Sequence, residues 1–273
     1  MYIVSDSSSN LLSFEGVEYS TVPLKIISET KEYVDDLSLD VEKMVNEMSQ
    51  SKEKFSTSCP NAYEWLDAFE GKDDIFAITI TSKLSGSYNA AETAANMLME
   101  KEPEKKICVL DSFSTGPEMQ LIIEKLKELK EKGLPFGEIK EKIKAYMQKT
   151  NLIFSLQSLA NLAKNGRVSP AVAKIAGVLG IRLVGMASEG TLKPLHKCRG
   201  EKKTLETLKE VMMAMGYKGG KVRISHCLNL EAAQKLKESI LSVFPKTDIK
   251  INICTALCSF YAEKGGLLVG FET

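Results

Sequence analysis

The sequence predicts an α/β protein of two domains, the first a mostly parallel sheet wrapped by helices and the second a mixed α/β domain. Three observations carry this. Short β-branched runs alternate with amphipathic segments through the first half, as in "MYIV", "DIFAITIT" and "KICVLDS". Such alternation is the signature of a parallel sheet covered by helices. After about residue 150 the order becomes mixed: a hairpin-like pair of runs, then helices and strands without strict alternation. The 273 residues are long enough for two cores. The division is therefore placed at 1–150 and 151–273.

Taken in order, "MYIV" reads as a strand that runs at once into "SDSSSN", and "TVPLKII" as a second apolar run. Helical spacing is seen at Leu37, Val41, Met44, Val45 and Met48. "FSTSCPNAYEWLDAFEG" reads as loop, cap and helix, with Pro60 at the first helical position and Gly71 at the stop. "DIFAITIT" is a buried parallel strand. The next helix sets Ala90, Ala91, Ala94, Ala95 and Leu98 on one face, and the helix over about 117–132 turns Ile122, Leu126 and Leu129 inward. Beyond the Lys-rich helix ending "KAYMQKT", the expected elements begin with a short strand, a helix and a glycine stop in "NLIFSLQSLANLAKNGRVSP". They continue with an apolar helix in "PAVAKIAGVLG" and a hairpin turning at Glu189 and Gly190. A helix over "KKTLETLKEVMMAMGY" and one over "EAAQKLKESILSVF" follow, with strands at "KVRISH", "DIKINIC" and "GLLVGF".

Composition excludes several classes. Lys+Arg and Asp+Glu are both 36, so no net field draws nucleic acid. No run of about 18 apolar residues predicts a membrane span. "MYIVSDSSSN" lacks a basic stretch followed by an apolar core, so no export signal is expected. None of the six cysteines forms a CxxC pair; they read as free thiols in a reducing cytoplasm. Cys254 and Cys258, spaced i,i+4, have no further ligands for a metal, and no cofactor is expected.

Polar residues gather where strands should end: Ser5, Asp6, Ser7, Ser8 and Ser9; Thr57 and Ser58; Ser82, Ser85, Gly86 and Ser87; Asp111, Ser112, Ser114, Thr115 and Gly116. Ligands of open α/β sheets bind outside the carboxyl ends of the strands. Helix N-termini there offer free N–H groups and partial positive charge, and hydroxyls add rotatable donors. Together they form a seat for an anion such as a carboxylate. Ser, Thr and Asp are equally the favoured helix caps, and capping accounts for any one cluster by itself. Nucleophilic catalysis by Ser85 with His226, in an acyl hydrolase or transferase, is the alternative. "SKLSGSY" lacks the G-x-S-x-G spacing, and neither His196 nor His226 shows a partner. Flexible apolar residues available to line a tunnel are Met186, Ile175, Leu179 and Leu183, and core packing accounts for them equally well.

The series "IVSDSSSNL", "VPLKI", "STSCPN", "ITSKLSGSYNAA", "VLDSFSTG" and "LANLAKNGRVS", in this order over nearly the whole chain, resembles the DegV family. The resemblance implies a two-domain α/β protein without catalytic activity of its own. Such a protein binds one long-chain fatty acid, with the carboxylate at the strand ends of the first domain and the acyl chain in a tunnel bounded by both. Some members are the binding subunits of bacterial fatty acid kinase. They present the carboxylate to a separate kinase subunit, which makes acyl phosphate for phospholipid synthesis. Carried onto this sequence, the carboxylate seat is Thr57 or Ser58 with Ser85, Gly86 and Ser87, and Arg199 of "KCRGEKK" matches an arginine used for phosphoryl transfer or partner contact. One departure stands out. The family commonly carries His-x-Gly-Pro-Gly near the C-terminus, whereas this chain reads "TALCSFYAEKGGLLVGF". Gly265 and Gly266 keep the turn, and Ser259 or Tyr261 stands in for the histidine. This departure bears on kinase partnership more than on lipid binding.

Overall fold

A computed structural model describes residues 1–173 and 180–273. From the N-terminus, β1 (Tyr2–Asp6) runs into a tight turn over Ser7–Ser9, then β2 (Tyr19–Val22), β3 (Lys25–Ile27), β4 (Glu32–Val34) and α1 (Val41–Gln50). Next come β5 (Ser56–Ser58), α2 (Ala62–Phe69), β6 (Ile75–Thr79), α3 (Ser87–Lys101), β7 (Ile107–Asp111), α4 (Pro117–Glu131) and α5 (Phe136–Met147). The expected parallel sheet is present, in the order β2-β1-β6-β7 with every pair parallel. Period-two alternation splits the strands between two cores. Val4, Ile75 and Ala77 meet α2 and α3 on one side, while Ile3, Phe76 and Ile78 meet α4 and α5 on the other. Ala91, Ala94 and Ala95 are all buried, and their small size lets α3 lie close to the sheet.

Three early expectations shift. "TVPLKII" is broken at Pro23: Val22 ends β2 and Lys25 opens β3, because proline has no N–H to continue a ladder. β3 instead joins β4 and β5 in a small antiparallel sheet, ordered β4-β3-β5, so "STS" is a strand rather than loop. Pro60 does not start α2. Asn61 does, its carboxamide accepting from the N–H of Tyr63 and Glu64 while Glu64 reaches back to the Asn61 N–H. Leu37 lies ahead of α1, which is capped by Asp40, and is 73% exposed.

The second half supplies β8 (Thr150–Leu156), α6 (Ala160–Lys164), α7 (Pro170–Ala173), β9 (Ile181–Ser188), β10 (Thr191–Arg199) and α8 (Glu201–Ala214). It ends with β11 (Val222–His226), α9 (Leu230–Leu241), β12 (Ile249–Ile253), α10 (Ala256–Ala262) and β13 (Leu267–Glu272). Their sheet is mixed, in the order β10-β9-β8-β13-β11-β12, with only β11 and β12 parallel. The β9–β10 turn falls at Glu189 and Gly190 as expected, both at positive φ (50° and 79°), the geometry that matches strand twist in a tight hairpin. One sheet face packs Ile153, Val184, Leu267 and Val269 on α8 and α9. The other gathers Leu152, Phe154, Leu156 and Leu268 with α1 and α10. Ile175 and Leu179 lie outside the described residues.

Helix α4 serves both halves. A Cβ on Gly270 of β13 would lie 2.6 Å from the Glu118 nitrogen, so the helix start rests directly on the second sheet. Further along, the buried Arg223 of β11 forks onto Glu124, donating Nε–H to Oε1 at 2.9 Å and Nη2–H to Oε2 at 2.5 Å; Nη2 also reaches Asp248 at 2.8 Å. The carboxyl ends of β1, β6 and β7 thereby face the second sheet across a cleft.

Candidate functional site

The four polar clusters have separate duties. The first is scaffold. Asp6 is buried and accepts Ser8 Oγ at 2.5 Å, Ser87 Oγ at 2.7 Å and the Ile80 N–H at 2.9 Å, tying three loops together. Burial raises its pKa, and the hydrogen bonds from Ser8, Ser87 and Ile80 oppose that rise. Ser7 Oγ accepts the Leu24 N–H, and Ser5 pairs with Tyr19. Asp111 likewise accepts the N–H groups of Ser82 and Phe113. These groups organise the strand ends without reaching the space between the sheets.

That space is a cavity of about 320 Å³. Thr57, Ser58, Ser85 and Gly86 line it, along with Ser114 and Thr115. Ser87 does not: as the first residue of α3 it turns inward and gives its hydroxyl to Asp6. Gly86 caps α3 without a side-chain cap of its own; the neighbouring Ser85 Oγ accepts the Ser87 N–H at 3.2 Å and keeps its own hydrogen to donate. A Cβ on Gly86 would meet Cys59 Sγ at 3.1 Å, so the close approach of "TSCP" to this turn suits glycine. The opposite wall is apolar, built from Leu152, Phe154, Leu156, Ala187, Leu192 and Leu268.

Two further lining residues stand out, one an expected stand-in for the histidine and one not anticipated. Tyr261 of α10 shares a 2.7 Å hydrogen bond with Thr57 Oγ1, and burial raises its phenol pKa. Of the two stand-ins for the missing histidine, it is therefore Tyr261 that reaches the cavity; Ser259 is buried in α10 and donates to the Cys254 carbonyl. Arg167, from "NGRVS", is half-buried at the wall, its Nε–H donating to the Leu84 carbonyl at 3.1 Å and its Nη1–H to the Asn165 carbonyl at 2.6 Å. Among the described residues it is the only cation on the wall, and no Asp or Glu joins it. In the sequence "NGRVS" serves only as a family marker. Its signal is an arginine directly after a glycine at positive φ, a few residues beyond the lining residue Leu162.

Other candidates lie elsewhere. His226 is buried at the end of β11, its Nδ1 accepting the Asn229 N–H at 3.2 Å, and burial lowers its pKa. Neither histidine lines the cavity among the described residues, so Ser85 and His226 are not brought together and the hydrolase alternative loses its base. Met186 points to the α8–α9 face of β9, opposite the cavity, while Leu183 is on the cavity face but beneath its wall. Arg199 ends β10 on the exposed surface. Cys254 precedes α10 and Cys258 sits in it, both buried, and burial pushes the Cys258 thiol up to about 12. No metal-holding group of His, Cys, Asp and Glu occurs among the described residues.

The geometry has close counterparts. The model of the family described as "Uncharacterised protein, DegV family" matches residues 1–273. A DegV domain-containing protein of Streptococcus pneumoniae is 45% identical over 255 residues, covering 93% of this chain and 91% of its own. Among solved structures, a DegV family protein from Eubacterium eligens loaded with heptadecanoic acid superposes with TM-score 0.98 at 43% identity, over 100% of this chain and 99% of that one. The Streptococcus pneumoniae fatty acid kinase (Fak) B3 protein loaded with linoleic acid gives TM-score 0.97 at 42% identity, over the same shares. With a match over its full length and relatives this close, the chain belongs to the DegV family.

Proposed function

We propose that this protein binds one long-chain fatty acid and presents its carboxylate to a fatty acid kinase subunit for acyl-phosphate formation. The observation that carries the reading is the uneven polarity of one cavity: nearly all its hydroxyls and its guanidinium gather at the strand ends of the first half, among apolar residues such as Ile80 and Leu84, while the wall from the second sheet is almost wholly aliphatic and aromatic. The carboxylate lies with Thr57, Ser58, Ser85 and Gly86, next to Tyr261 and Arg167, and the acyl chain lies along Leu152, Phe154 and Leu268. Each buried methylene contributes about 0.8 kcal/mol, so a dozen gain on the order of 10 kcal/mol before ordering costs. Affinity comes from the chain, and orientation from the head group. Support also comes from the relatives loaded with heptadecanoic and linoleic acids.

The protein acts as a carrier rather than an enzyme in this reading, because among the described residues no histidine, aspartate or glutamate lines the cavity with Ser85. Arg199, exposed at the end of β10, is the contact for the kinase subunit. Residues 1–150 and 151–273 act as two domains that close on the ligand, and the free state of all six cysteines fits a cytoplasmic location. Native mass spectrometry of the purified protein tests the central claim. A co-purified species of fatty acid mass is expected. A protein that emerges empty and takes up no added fatty acid overturns it.

A further inference from the structure

The cavity wall contributed by the second sheet is a row of cross-strand neighbours. Phe154 and Leu156 of β8 stand opposite Gly185 and Leu183 of β9, with Leu152 and Ala187 next along the same face, and Phe154 also stands opposite Leu268 of β13. Gly185 interrupts this row of side chains. Its φ is not in the positive range, so its backbone does not require glycine. Space does. A Cβ at this position would lie 2.4 Å from Phe154 Cζ, 2.6 Å from Phe154 Cε2 and 2.7 Å from the Lys193 carbonyl oxygen. The phenyl ring of Phe154 thus lies across the glycine and occupies the place its side chain would take, a pairing known to stabilise glycine in sheets.

This parks a large ring out of the cavity. We propose that Gly185, through the position it allows Phe154, sets the length of acyl chain the cavity accepts; the inference rests on the fatty-acid reading above. A side chain at residue 185 evicts the ring and also presses on the Lys193 carbonyl of β10, so the smallest one, a methyl, is the substitution that moves mainly the ring. Its neighbours Leu152, Leu156 and Leu268 are buried and close-packed, so the unfilled volume is the cavity itself, and the ring swings into the acyl bed. Shortening Phe154 has the opposite effect and lengthens the bed.

The test measures binding of the saturated series from dodecanoic to octadecanoic acid to delipidated protein, with thermal unfolding of each variant as the check on folding. Gly185→Ala is expected to lower the ratio of octadecanoic to dodecanoic affinity by about fourfold for each methylene displaced. Phe154→Leu is expected to raise it, and the double variant to return toward the parent ratio. A folded Gly185→Ala protein with the parent ratio overturns the inference while leaving fatty acid binding intact. If Gly185→Ala does not fold, an unchanged ratio in Phe154→Leu overturns it. A parent protein that binds none of the acids overturns the fatty-acid reading, and this inference with it.

Discussion

Arg167→Leu is the perturbation that separates an electrostatic head-group seat from a merely apolar cavity. The guanidinium already donates to two carbonyls, of Leu84 and Asn165, and Nη2 has no partner among the described residues. A charge-assisted hydrogen bond from it to a bound carboxylate is worth about 1.5–3 kcal/mol, or roughly 10- to 150-fold in affinity. Loss of the two carbonyl contacts loosens the Leu84–Gly86 turn as well, and that loss falls on every ligand alike. The assay is therefore paired: dissociation constants for a fatty acid and for the fatty alcohol of the same chain, with parent and variant. Acid affinity should fall by that factor beyond any fall for the alcohol. Arg167→Lys should recover part of the difference, because lysine keeps the charge but not the planar fork. Equal losses for acid and alcohol would refute the electrostatic role and leave Arg167 as a brace for the turn.

Two further outcomes are expected. Glu124→Ala strips the buried Arg223 of its fork partner between α4 and β11 and should cost about 3–5 kcal/mol in chemical unfolding, whereas Asp248→Ala should cost less because that carboxylate is half exposed. Stability should also fall as pH rises through the neutral range: burial raises Asp35 to about 6 and Glu118 to about 7, above their ordinary values of 3.8 and 4.5, so the folded state holds these protons more tightly. Their contribution is full below about pH 4 and is lost as pH passes 6 and 7, on the order of 3 kcal/mol each; Glu118→Gln should flatten the upper part of that fall, and an unaltered profile would remove Glu118 as its source.

What the sequence made legible follows from how each segment is buried. "DIFAITIT" is apolar on both faces because β6 is covered on both, so the run itself marks a central strand. "STS" has no apolar period at all. It becomes β5 only because β3 lies beside it, with Ile26 paired to Thr57 from far back in the chain. Helix α10 is hard to read for the converse reason: Ala256, Leu257, Cys258, Ser259, Phe260 and Ala262 are all buried, so no polar face marks a helical period. Met186 and Ala187 are adjacent and equally apolar, yet strand parity sends one to the α8–α9 core and the other to the cavity. The hairpin is readable. Which of its faces meets the cavity depends on the register with β8, which no local pattern encodes.

The clearest case is the split between Ser85 and Ser87, which the sequence offers as equivalent donors. One residue on either side of the Gly86 cap decides their roles: Ser85 stays at the cavity, and Ser87 is drawn onto Asp6. The same economy governs the acids around the site, of which Asp6 and Asp35 are buried and Asp111 is half-buried. Asp6 takes Ser8, Ser87 and the Ile80 N–H; Asp111 takes the N–H groups of Ser82 and Phe113; Asp35 takes those of Ala256 and Leu257 at the start of α10. Each carboxylate fixes a loop that delivers a cavity residue: Ser85 after Ile80, Ser114 after Asp111, Tyr261 on α10. Acidic groups thereby brace these loops from behind and, among the described residues, none lines the cavity, so the proposed seat offers an anionic head group hydroxyls and one guanidinium without like-charge repulsion. A seat ordered in advance loses less entropy on binding, so in the proposed mode a few donors suffice to fix the direction of a ligand whose affinity comes from its chain.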